Sequence, residues 1–75
     1  MKKYGGADNN SGVKAYEVVP SGIVVMFVDG NKYLYNNKKP GKKHVHEMIA
    51  HAEAGSGLAT YINQHVRDNY AAKLD

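Results

Sequence analysis

The sequence predicts an α+β domain: a three-stranded antiparallel sheet followed by two helices (βββαα) packed on one face. Three observations carry that prediction. The run "GIVVMFV", Gly22 to Val28, is rich in β-branched residues and too short for a buried helix. Asp29-Gly30 follows at once, a dipeptide favoured in tight hairpins. Beyond Pro40-Gly41 the apolar residues change from alternate to helical spacing.

The first residues, "MKKYGGADNNSG", are rich in glycine and asparagine and have no apolar period. They predict a flexible tail over 1–12, ahead of a single domain over 13–75. "KAYEVV" puts Tyr16 and Val18 on one face of a first strand, at about 14–19, which a Pro20-Ser21-Gly22 turn ends. The apolar run forms the second strand, at about 22–28, and "KYLYN" the returning strand, at about 32–36. Val45, Met48, Ile49 and Ala52 then fall at i, i+3, i+4 and i+7, the stripe of a first helix. Gly55 suits its C-terminal cap and Ser56 the N-cap of the next. That second helix is expected from about Gly57 to Ala72, centred on Leu58, Ile62 and Val66, with Tyr61 and Tyr70 at its edges.

The central strand is apolar on both sides. Ile23, Val25 and Phe27 point one way, and Val24, Met26 and Val28 the other. Two helices cover one of these faces. The other needs the tail, a second subunit or a ligand, because wide apolar patches mark binding surfaces.

Size limits the function. A chain of 75 residues makes one domain with about 4–10 kcal/mol of stability and little room for a deep catalytic cleft. The absence of cysteine excludes disulfides and thiol chemistry. No apolar run approaches the roughly 18 residues of a membrane span. The N-terminal lysines precede no apolar stretch of a signal peptide, so a soluble, cytoplasmic protein is expected. The net charge of +3 is unevenly spread. Gly30 to His46 holds five lysines (Lys32, Lys38, Lys39, Lys42, Lys43) and no acid, which leaves the rest of the chain at −2. Such a footprint suits an anionic partner, although lysines also gather wherever a chain is most exposed.

The hairpin "IVVMFVDGNKYLY" resembles the Ile-x-Val-x-Phe-x-x-Gly-x-x-Tyr-x-Tyr core of the KTSC domain family. "YINQHVRDNY" is similar to that family's closing Tyr-Phe-Asn-x-x-Ile-Arg-x-x-Tyr, so the resemblance runs from about Val13 to Tyr70. The matched positions are Tyr33, Tyr35, Asn63, Arg67 and Tyr70. The family occurs as small bacterial proteins and at the C-terminus of some lysyl-tRNA synthetases, without an assigned function. That company implies RNA binding. The chain departs from the pattern at "NNKKPGKK", which replaces a Val-Pro-like step, and at Gly55-Ser56-Gly57.

Tyr33 and Tyr35, at alternate positions, leave one face of their strand, the geometry of a base-stacking platform. A two-residue turn would pair Met26 with Tyr33. A three-residue turn, with Asn31 left-handed, pairs Phe27 with Tyr33 and sets both tyrosines beside Val25 and Phe27. The second is favoured, which makes the rings core residues with hydroxyls at the edge. Asn63, Arg67 and Tyr70, spaced by four and three, share one strip of the second helix. There Arg67 could grip phosphate or simply tie the helix to the sheet. His44, His46, His51 and His65 suggest a metal, but His46 and His51 are five apart, about 140° around a helix. No cysteine or carboxylate cluster completes a shell, so no metal or other cofactor is expected. Ser11, Ser21 and Ser56 lie in tail, turn and cap without a nucleophile motif. The sequence thus predicts a non-catalytic binding module. Its partner would be RNA or single-stranded nucleic acid, held by the five lysines with Tyr33, Tyr35, Asn63, Arg67 and Tyr70. The alternative is a protein-interaction or homodimerisation domain using the second apolar sheet face, and no membrane association is expected.

Overall fold

The computed structural model describes residues 1–5 and 12–74. Among the described residues, five strands form one antiparallel sheet in chain order: β1 (Lys2–Lys3), β2 (Val13–Val19), β3 (Gly22–Phe27), β4 (Lys32–Asn36) and β5 (Ala72–Leu74). Between β4 and β5 run α1 (Lys42–Ala54) and α2 (Leu58–Tyr61), and α2 continues into a π-helical turn, Ile62–Val66. The three-stranded sheet with two terminal helices is therefore corrected to five strands, with the helical segment inserted before the last.

Two short edge strands make the difference. Lys2 and Lys3 pair with Tyr16 and Ala15 where a free tail is expected, and Tyr4 is buried beyond them. The Ser11 position and the rest of that expected tail, 6–11, lie outside the described residues. At the other end, the helix expected to reach Ala72 stops after Val66. Asp68 and Asn69 are poor helix formers, and the Asn69 N–H turns back to the Val66 carbonyl at 2.7 Å. Ala72 and Leu74 then pair with Leu34 and Lys32.

The central hairpin has a three-residue turn, Val28-Asp29-Gly30, one residue earlier than expected. Gly30, not Asn31, takes the positive φ (+92°), because glycine has no Cβ to clash there. The Phe27 N–H donates to the Asn31 carbonyl, and the Asp29 carboxylate accepts from both the backbone and the side-chain amide of Asn31. Tyr33 consequently faces Val25, not Phe27, and Tyr35 faces Ile23. The register moves by two residues, so the tyrosines keep the expected face.

That face is the core. Tyr16, Ile23, Val25 and Tyr35 meet Val45, Met48 and Ala52 of α1 and Leu58, Ile62 and Val66 of the second helical segment. α1 begins after Gly41 and ends at Gly55, whose N–H donates to the His51 and Ala52 carbonyls. Ser56 does not cap α2. The Leu58 N–H donates instead to the Tyr4 hydroxyl at 3.0 Å, inside the protein.

The outer face carries Ala15, Val24, Met26, Leu34, Ala72 and Leu74, since each pairs across the sheet with another residue of that set or with Glu17, Lys32 or Lys3. None of them belongs to the core cluster formed with the helices.

Candidate functional site

Five residues named from sequence converge. Tyr33, Tyr35, Asn63, Arg67 and Tyr70 line one open cleft of about 550 Å³ beside the hairpin turn. β4 contributes the first two. The π-helical turn keeps Ile62 and Val66 in the core, leaving Asn63 exposed within the turn and Arg67 exposed just after it. Tyr70 comes from the chain returning to β5, not from the helix strip that its spacing suggests. Its ring lies 4.7 Å from that of Tyr33 and 6.3 Å from that of Tyr35, while Phe27 meets Tyr33 edge-on at 5.6 Å. Tyr35 is only 1% exposed. The rings therefore satisfy one another. A base-stacking platform needs free ring faces, and here only the half-buried Tyr33 and Tyr70 offer any part of one.

Sequence reasoning passed over Asp29 and Asp68, which also line the cleft. Asp29 reads as a turn residue and Asp68 as a helix-surface acid, and only the folded chain brings them together. With Arg67 they make one guanidinium against two carboxylates. That balance does not attract a phosphate chain.

The lysines are elsewhere. Lys32 pairs with Met26 and Leu74 on the outer face, opposite to Tyr33. Lys38 and Lys39 sit in a turn wound on Asn36, whose carboxamide oxygen accepts both their N–H groups at 3.0 and 2.9 Å. Lys42 and Lys43 open α1, and all four are exposed. From Tyr33 to Asn36 the strand covers about 10 Å, so this patch and the aromatic cleft occupy opposite ends of β4. Lys32 and these four lysines thus lie outside the lining of the aromatic cleft.

Burial, aided by neighbouring Tyr33, Tyr70 and Asp68, holds the Tyr35 phenol well above its ordinary pKa of about 10. The unfolded chain gives up this proton near pH 10 while the folded chain keeps it, so stability falls as pH rises beyond about 10. Tyr35→Phe is expected to flatten that fall, read as the change in urea midpoint between about pH 9 and about pH 11.

The histidines gather around Tyr61. His44 Nδ1 lies 2.7 Å from the Tyr61 hydroxyl, and the rings of His65 and His51 lie 4.5 and 5.4 Å from that of Tyr61. Burial, with the Glu47 carboxylate nearby, raises the Tyr61 phenol. His46 is exposed and lines a groove with Val45 and Ile49 instead. Among the described residues, no three histidine, aspartate or glutamate side chains are placed to hold a metal ion.

No family model matches the chain, and no curated protein or solved structure does either. Among the described residues, no helix is long and apolar enough to cross a membrane.

Proposed function

We propose that the protein is a non-catalytic protein-interaction module that docks a partner on the outer face of its sheet. One observation carries the reading. An antiparallel sheet with helices on one side ordinarily turns polar residues to water on the other. Here the outer positions of β3 are Val24 and Met26, and their neighbours on β4 and β5 are Leu34, Ala72 and Leu74. Side chains of this kind on the solvent side cost solubility unless a partner covers them.

The nucleic-acid reading has less support. Four of its lysines form an exposed patch, but Lys32 lies on the outer face, and Tyr33, about 10 Å along the strand from Asn36, packs against Tyr70 in a cleft that two carboxylates also line.

The dye ANS tests the docking reading, because it brightens on accessible apolar surface. At low micromolar protein, native wild type is expected to enhance its fluorescence, and Leu34→Lys to remove most of that signal. Leu34 is half-buried and outside the helix-packed core, so the substitution should cost no more than about 1 kcal/mol of stability. No dye binding by native wild type would sink the reading.

A further inference from the structure

We propose that the partner on the outer face is a second copy of this chain, related by a two-fold axis that sets Glu17 of each copy against Lys32 of the other. The proposal rests on the docking role of that face and names its occupant.

Charge pattern supplies the argument. Within the outer face, Glu17 on β2 and Lys32 on β4 lie on opposite sides of β3. Glu17 is level with Val24, and Lys32 with Met26, one step further along that strand. Ideal sheet spacing puts the two about 12 Å apart within one copy, too far for a direct ion pair between them. A two-fold axis lying in the interface and passing between Val24 and Met26 exchanges their positions. Each carboxylate then meets an ammonium, twice per dimer. In an isologous interface whatever meets j from one side is met by j from the other, so self-pairing demands opposite charges at exchanged positions. Like charges there would repel. The apolar residues between them, Val24, Met26 and Leu34, fall around the axis, where an interface keeps its dry centre.

Area sets the expected strength. At about 3.4 Å along each strand and about 4.8 Å between strands, the residues of the five strands give a face of roughly 400 Å² per copy. Two such faces fall short of the roughly 1,200 Å² at which stable interfaces begin. The dimer is therefore weak, and it forms as concentration rises from micromolar to millimolar.

Analytical ultracentrifugation of the full chain tests this with charge swaps. Wild type should show a monomer–dimer equilibrium. Glu17→Lys and Lys32→Glu should each weaken dimerisation at least about tenfold, since each turns two attractions into two repulsions. An equimolar mixture of the two variants should dimerise like wild type, because every cross-pair is again opposite in sign. A mixture no better than its components overturns the arrangement, and so do swaps that leave the wild-type equilibrium unchanged. A wild type that stays monomeric to millimolar concentration overturns self-association altogether. If that monomer still binds ANS in a Leu34-dependent way, the docking reading stands. If it binds none, both fall.

Discussion

Gly22→Ala is expected to remove most of the folding stability. Gly22 is buried where β3 leaves its turn and runs against β4, opposite Asn36. A Cβ placed there would press on the Tyr35 carbonyl oxygen and stand 2.7 Å from the Asn36 Cα and 2.9 Å from the Tyr35 carbonyl carbon. These are backbone atoms, so no rotamer relieves the overlap. β4 must shift outward, which disturbs the pairing of Ile23 with Tyr35 and the Asn37 N–H bond to the Ser21 carbonyl. Tyr35 is a large core side chain and would be drawn out of place with its strand. Overpacking ordinarily costs about 1–3 kcal/mol and occasionally more, and a Cβ driven into backbone that no rotamer can move belongs above that range. A domain of this size holds only about 4–10 kcal/mol. Urea unfolding followed by circular dichroism should show the midpoint fall by at least about half. A loss below about 1 kcal/mol would mean that β3 and β4 do not approach this closely.

Tyr4→Ala should cost about 3–5 kcal/mol, as truncation of a buried aromatic does. Tyr4 is 1% exposed and packs in the core cluster. Its hydroxyl also receives the Leu58 N–H across a sequence separation of 54 residues. Tyr4→Phe keeps the ring and orphans that N–H, at a cost of about 1–2 kcal/mol. The pair of variants separates packing from capping. Hydrogen exchange gives the sharper readout: the Leu58 amide should lose protection in Tyr4→Phe while the β3 amides keep theirs. If Tyr4→Ala unfolds at the wild-type midpoint, the N-terminal residues do not belong to the core.

The three central strands were legible because their alternation and turn residues agree with the packing that follows. β1 and β5 were not. Two lysines have no pattern to read, and Ala72, Lys73 and Leu74 are all good helix formers that pairing with β4 overrides. The aromatic Tyr4 inside an otherwise polar stretch was the available signal for the N-terminal anchor. In the cleft, strand parity on β4 and helical spacing from Asn63 to Arg67 placed the right side chains together. The same parity already separates Lys32 from Tyr33, since adjacent strand residues point to opposite faces. Asp29 and Asp68 join the cleft through tertiary packing alone, and no local spacing announces them. His44 and His51 share a helix face by their spacing of seven. Their meeting with Tyr61 and His65 depends on how the second helical segment docks on α1.

Because strand order follows chain order, β1 and β5 occupy the two edges of the sheet. A pull on the two ends of the chain would load the flanks of the sheet and peel it sideways, one rung at a time, rather than shear all the strands together. The two-residue edge has the fewest rungs to give. Yet its detachment would drag Tyr4 from the core and strip the start of α2 of its hydrogen-bond partner. This two-residue edge is thereby coupled to a helix on the far side of the core.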